Sequence, residues 1–458
     1  MRLSTRLAPL IFLVAIVTIT YALFWVGPYA PAVTNGGLMT TFLVGVLVVF
    51  AVGYSLAWVG STKLEPVRSL HPPVFPRGDR RLLKWSYVWY IAFAVISITA
   101  YGVHSPGELI QAILHPRASY YAKFGQGQVS GGLTIVFQVL NLCGALYFIL
   151  IPFAALYWRA MGRAMRIGAV ISVAAYVVFF LSTGTQQGLA NMAIAFAVSV
   201  FAVRLRNRGS KASVRRILAT IVVVGILGLL GLTIVASFAA RTDTTSTLFQ
   251  SSASAQMVKN FTPFVGPYFA RGATVLIAYV SHGYFGLASS MKLPFVWTGG
   301  MGAFRGLSSY LPQYLGLVDP YYSTYPVRLQ EVSSWSATGV WSTIYPWLAS
   351  DLSFPGVVLA SGVLGFAVAR VWRTFLISGS SLALVLISIF AVGAAYSEAN
   401  NQLFNERYSA IGVLTILIVY ALSRVGASSS HSFQKSVAGG TSSGLIASNR
   451  SVGPRQVR

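Results

Sequence analysis

The chain carries one cysteine, Cys143, five histidines and nine Asp+Glu among its 458 residues. One thiol excludes an internal disulfide, and Cys143 lies within an apolar run, where cysteine acts as a small buried hydrophobe. Five scattered histidines with no nearby cysteine or carboxylate cluster argue against a metal site. No P-loop, G-x-S-x-G or H-E-x-x-H pattern occurs, so the common soluble-enzyme chemistries have no foothold. Charged residues make up 9% of the chain against 55% hydrophobic. That ratio excludes a soluble domain, and with it the nucleic-acid partner that a net charge of +24 would otherwise invite.

What is present is apolar length. Mean hydropathy is +0.68, and continuous apolar runs of about 18–24 residues predict membrane-spanning helices, because lipid forces each segment to satisfy its own backbone. A β-barrel needs short alternating segments, which these are not. Spans are predicted at roughly 7–27, 38–60, 85–103, 131–157, 167–183, 187–203, 217–239, 355–372, 379–397 and 408–424. The first run is too long for a usual signal sequence and is read as an uncleaved helix.

Charge then orients these spans. With ten helices, 24 of the 33 Lys+Arg fall in one set of loops and seven of the nine Asp+Glu in the other. This is the positive-inside bias of a polytopic protein, and it predicts both termini in the cytoplasm. The expected layout is an all-α polytopic integral membrane protein. A seven-helix bundle occupies 1–240, a large extracytoplasmic loop 241–354, a three-helix segment 355–425 and a disordered basic cytoplasmic tail 426–458. The basic, Pro-rich stretch 61–84 reads as a topology anchor or a contact with anionic headgroups. Within the large loop, residues 263–291 form a predicted amphipathic or re-entrant helix pair interrupted by Arg271 and His282. No internal repeat is seen, which weighs against transporters built from duplicated halves.

The charges left on the outer side are the candidate functional groups. Arg241, Arg271, Arg305 and Arg328 suit phosphate or pyrophosphate, because a guanidinium is planar, bidentate and always charged. His282, Glu331 and Asp351 are candidate bases. Asp351, four residues before Pro355, reads equally well as a helix cap or dipole partner, and Asp243 as a cap. Trp297 and Trp335 are candidate glycan platforms or members of an interfacial aromatic belt. The segment YSEANNQLFNERY, with Glu398 and Arg407 as further glycan-contact candidates, is dense in polarity and either closes over a site or is simply solvated.

This pattern resembles the bacterial oligosaccharide repeat-unit polymerases, the Wzy-type O-antigen polymerase family. The likeness covers the overall plan and T-x4-T…P…D-x4-G-x8-G, here Thr338, Thr343, Pro346, Asp351, Gly356 and Gly365. The turn S-T-G-T-Q-Q-G at 182–188 is similar to the family's S-G-S-R-G turn, with Gln186 or Gln187 where arginine is usual. The loose R-x10-G pattern occurs at Arg305–Gly316 and Arg328–Gly339. The resemblance implies a GT-C-like glycosyltransferase architecture in the bacterial plasma (inner) membrane. It further implies transfer of a growing glycan from undecaprenyl pyrophosphate onto a fresh lipid-linked repeat unit, with no cofactor, metal or nucleotide. Implied partners are lipid-linked oligosaccharides and membrane lipids, with a chain-length regulator and a flippase. Other glycosyltransferases with the same donor, such as an O-antigen ligase, and a transporter or flippase of lipid-linked saccharide share these features.

Overall fold

The computed structural model describes residues 3–59, 75–115, 118–119, 133–207, 252–333, 335–337 and 342–439, with the side chains of 133–134 and 425–439 excepted. The predicted span 217–239, Arg241, Asp243, Thr338, Gly339, Trp341, residues 61–74 and the tail from 440 lie outside the described residues. Among the described residues there is no strand.

The helices are α1 (Ala8–Val26), α2 (Gly36–Leu56), α3 (Arg77–Ala100), α4 (Pro106–Leu114), α5 (Leu133–Leu142), α6 (Ala145–Tyr157), α7 (Arg163–Ser182) and α8 (Gln187–Arg206). After the undescribed stretch come α9 (Ser252–Ser281), α10 (Gly283–Ser290), α11 (Arg305–Ser308), α12 (Tyr310–Leu315) and α13 (Tyr325–Val332). The chain closes with α14 (Ile344–Ser378), α15 (Ser381–Tyr396) and α16 (Arg407–Gly439). Seven of these helices are long and apolar enough to cross a bilayer, and α5 with α6 form a further pair bent by 50°. The protein is a multi-pass, all-α membrane protein.

Its surface is apolar where a soluble protein's would be polar. On α2, Val44, Val48, Val52 and Leu56 recur every fourth residue and all are exposed, whereas Phe42, Val46, Phe50 and Tyr54 on the opposite face are buried. A helical stripe of exposed valines has lipid as its natural solvent. At the centre, α15 is buried on every side and is only 16 residues long. It packs against α1, α6, α8, α14 and α16, and sequence periodicity is silent there because the helix has no polar face.

Without a hydrophobic drive between helices in lipid, close contact relies on small residues. The α2–α14 pair shows this. A Cβ at Gly53 would run into the Gly362 carbonyl, and one at Gly365 into the Phe50 carbonyl. Ser361 Oγ also donates to the Val46 carbonyl at 3.0 Å. A second such contact sets the 50° bend: a Cβ at Gly144, between α5 and α6, would overlap the backbone of Tyr408. Gly365, the last glycine of the D-x4-G-x8-G spacing, therefore has a packing role.

Two ends of the bundle are distinguishable. At one, Trp372 Nε1 donates to the Thr5 carbonyl (2.9 Å), Tyr54 Oη to the Arg6 carbonyl (2.6 Å) and Tyr157 Oη to Asp79 Oδ2 (2.6 Å). At the other, Asn35 Nδ2 donates to the Ala288 carbonyl (2.7 Å), Lys292 Nζ to Thr34 Oγ1 (2.7 Å) and Ile344 N to the Ser397 carbonyl (2.8 Å). The second end gathers α9–α13 with the 397–406 loop, and the candidate functional residues lie there.

Gly365→Leu is expected to destabilise the protein by about 1–3 kcal/mol or more through overpacking. Gly37→Leu, whose Cβ would meet nothing within 4 Å, is expected to be nearly neutral. Thermal unfolding in detergent, read by size-exclusion chromatography, compares the two.

Candidate functional site

Asp351 organises the loop end. Its Oδ1 accepts from the Thr298 hydroxyl and from Gly302 N (3.1 Å), and its Oδ2 from Ala303 N (3.0 Å). Thr298 N adds a bond to the Ser350 carbonyl at 3.2 Å. These bonds strap residues 298–303 to α14, and Gly299 and Gly300 (φ 69° and 79°) supply the turn that other residues resist. Asp351 closes the first half of α14, because Ser353 breaks the helix at φ 60° before Pro355. A carboxylate near a helix C-terminus is ordinarily unfavourable; three donors stabilise this one. The expectation that Asp351 caps the helix after Pro355 is thus corrected: it belongs to the preceding half-helix and its donors come from the strap. Its occupied oxygens also leave it poorly suited to act as a base.

The strap delivers Arg305. Gly306 N donates to the Phe404 carbonyl at 2.7 Å, and a Cβ on Gly306 would crowd the backbone of Glu406 and Arg407. Arg305 and Arg407 are therefore anchored on either side of one backbone junction. Asn401 Nδ2 closes it further by donating to the Ala303 carbonyl at 2.5 Å. Arg305 pairs with Asp319 at 2.5 Å and lies 3.8 Å from the centre of the Tyr321 ring, which itself stacks on Trp347. Arg407 donates to Ser309 Oγ (3.0 Å) and Gln313 Oε1 (2.7 Å) and lies 4.5 Å from the Tyr310 ring centre. Tyr310 Oη in turn bonds Gln138 Oε1 at 2.8 Å. Each guanidinium thus has an aromatic floor and hydrogen bonds that hold its plane.

Behind the junction lies a buried polar layer. Glu398 is 1% exposed, and its Oε1 accepts from Tyr345 Oη (3.0 Å) and Ser397 Oγ (3.1 Å). Its Oε2 has no hydrogen-bond partner, and neither have Ser342 Oγ, Thr343 Oγ1 and Trp335 Nε1. Burial pushes the Glu398 carboxyl up from 4.5 to about 7, against the opposing pull of the Tyr284, Tyr345 and Ser397 hydroxyls. His282 lies in the same layer: its ring sits 6.0 Å from Trp335, and Nδ1 is 3.2 Å from the Ala278 carbonyl. Gly283, the next residue, leaves no room for a Cβ between the Glu398 carbonyl and Thr343 N.

The structure therefore brings His282, Trp335 and Glu398 together below, and Arg305, Arg407 and the Asp351 strap above. Arg328 stands apart, bonded to the Pro294 carbonyl at 2.9 Å and facing Tyr325. Trp297 is 67% exposed, Glu331 is exposed at the end of α13, and Arg271 is exposed on α9, one turn after Pro267. Among the described residues no three His, Cys, Asp or Glu converge to hold a metal. Sequence reasoning missed Asp319, Tyr321, Tyr310, Gln138 and Tyr345. The Asp319-Pro320 pair was a readable signal, since Asp followed by Pro marks a helix start, and Asp319 Oδ1 does accept from Tyr321 N at 3.0 Å. Comparisons with protein-family models, curated proteins and solved structures give no significant match.

Asp351→Ala is expected to cost about 2–3 kcal/mol, because two strap N–H groups lose a charged acceptor; thermal unfolding measures it. Glu398 makes stability pH-dependent with a defined sign. Its folded value lies above the ordinary 4.5, so its contribution is fully present below about pH 4.5. The contribution is lost as pH rises through about 7, by about 3 kcal/mol in all. Glu398→Gln should flatten the fall in unfolding temperature between about pH 5 and 8; an unchanged slope assigns that fall to another group.

Proposed function

We propose that this protein is a membrane glycosyltransferase that polymerises undecaprenyl-pyrophosphate-linked oligosaccharide repeat units on the outer face of the bacterial plasma membrane. One observation carries the reading: Arg305 and Arg407 are fixed at one backbone junction, each over a tyrosine ring, at the end of a membrane bundle. That is where the phosphates of a lipid-borne substrate would stand. In this reading the ten-span topology holds, with 217–239 as the seventh span. Both termini are cytoplasmic and the junction faces outward, in keeping with the positive-inside distribution of charge.

The chemistry asked of the site is modest. An acceptor sugar hydroxyl attacks the anomeric carbon of the growing glycan, and the bond from that carbon to the pyrophosphate oxygen breaks. Charge develops on the departing polyprenyl pyrophosphate, and Arg305 and Arg407, already oriented, stabilise it without reorganising. Arg328 and Arg271 extend the positive field around the rim. The proton leaving the acceptor hydroxyl goes to the buried layer, where Glu398 has a proton affinity suited to transfer near neutral pH. Two substrates held by the same membrane face gain further through orientation. Trp297, 67% exposed, offers a ring face to sugars, whereas Trp335 is buried against Phe285 and His282 and does not.

Deletion of the gene is expected to abolish long surface glycans while single repeat units still reach the outer face. Arg305→Ala and Arg407→Ala are expected to reduce long-chain product about 100-fold at unchanged protein level. Gel analysis of surface polysaccharide beside extracted undecaprenyl-linked oligosaccharides reads both. Units trapped on the cytoplasmic side would identify a transporter or flippase. Intact polymer that fails to reach its final acceptor would identify a ligase.

A further inference from the structure

The face of α5 presents an apolar lane linked from its middle, through a tyrosine, to an arginine. Helix α5 has ten residues, about 15 Å and half a bilayer's hydrocarbon thickness, and it leaves α6 at 50°. It is therefore a half-span whose C-terminal end is pinned by Gly144 against α16. Along it Ile135, Val139 and Leu142 recur at helical spacing and are 71%, 54% and 66% exposed. Gln138, on the turn between them, bonds Tyr310 Oη at 2.8 Å. The Tyr310 ring carries the Arg407 guanidinium 4.5 Å from its centre.

This apolar stripe belongs to a half-span and is linked through Gln138 and Tyr310 to a guanidinium held over an aromatic ring. Such a surface matches an amphiphile with a long apolar tail and a phosphorylated head. We propose that the α5 face is the docking surface for the polyprenyl chain of a pyrophosphate-linked substrate, guiding its head group to Arg407. The proposal rests on the function proposed above and adds the route by which the lipid reaches the site. The tail gains by contact with Ile135, Val139 and Leu142, and the head by charge-assisted hydrogen bonds. An ordinary phospholipid would share the first gain, but its single phosphate has less charge for Arg407 to meet.

The chain supplies its own reporter. Cys143, the one cysteine, directly follows Leu142 and is exposed, against the burial expected from its apolar run, because it lies at the bend between α5 and α6. A benzophenone maleimide on Cys143 of the full-length protein, in nanodiscs of phosphatidylcholine with excess phosphatidylglycerol, is irradiated with added undecaprenyl pyrophosphate, and adducts are identified by intact mass. The expected result is an undecaprenyl pyrophosphate adduct despite the phospholipid excess, reduced at least tenfold in Arg407→Gln. Arg407→Gln removes the charge while keeping side-chain donors for Gln313, and Tyr310→Phe, which cuts the hydroxyl's links to α5 at Gln138 and Asn141 and keeps the ring under Arg407, should give a smaller reduction. Adducts formed in proportion to lipid abundance, or undiminished in Arg407→Gln, overturn the lane. A thermal shift of the unlabelled protein with undecaprenyl pyrophosphate separates the two levels of failure. Binding without a Cys143 adduct removes the lane alone, and no binding removes the proposed function as well.

Discussion

The carboxylate of Asp351, holding three donors of one strap, is the interaction on which the loop end depends. By taking three donors from residues 298–303, it turns a glycine-rich stretch into a fixed strap. The strap positions Gly306 against Phe404, and that junction in turn sets Arg305 beside Arg407. The same three donors offset the unfavourable placement of a carboxylate at the end of the half-helix that bears it. One side chain thus ties α14 to the strap, and the strap in turn meets the loop between α15 and α16.

Below this cap the governing constraint is different. In lipid, apolar side chains gain nothing from leaving one another's company, so helix pairs are decided by how closely backbones approach. Gly53, Gly362 and Gly365 bring α2 and α14 together, and Gly144 with Gly412 bring the α5–α6 bend onto α16. The cap is held by hydrogen bonds and charge, and the bundle by shape. The buried layer containing Glu398 lies at their boundary, which is where a carboxyl is both enclosed and supplied with hydroxyl partners.

Much of the bundle was legible in the sequence because span length and apolar runs are local properties. The ends of α1, α2, α7, α8 and α15 fall within a few residues of expectation. The start of α3 was placed at 85, whereas the helix begins at Arg77, because its first turns are charged and hydropathy does not register them. The span placed at 355–372 does open at Pro355, directly after the break at Ser353; what the sequence did not show is the preceding half-helix from Ile344 and the extension to Ser378. The loop at 397–406 was open between closing over a site and solvation, and it proves to be a clamp, with Asn400 and Asn401 buried. The pairing of Arg305 with Arg407 was beyond sequence reach, since the two lie about a hundred positions apart and meet through a backbone contact that leaves no pattern in side chains. Asp351 illustrates the converse: its residue type was noticed, but a carboxylate's role follows from its donors, and those belong to a distant loop.

The break at Ser353 also settles a matter of length. As one rod, the 35 residues of α14 would reach about 52 Å, far beyond the roughly 30 Å of hydrocarbon available. A rod of that length would have to tilt steeply or carry Asp351 into the acyl chains. The residue at φ 60° divides it into a short cap helix and a span of about 37 Å from Phe354 to Ser378. Hydrophobic mismatch is thereby relieved by one backbone torsion instead of by tilt, and the strap end is free to keep its own orientation to the bilayer normal.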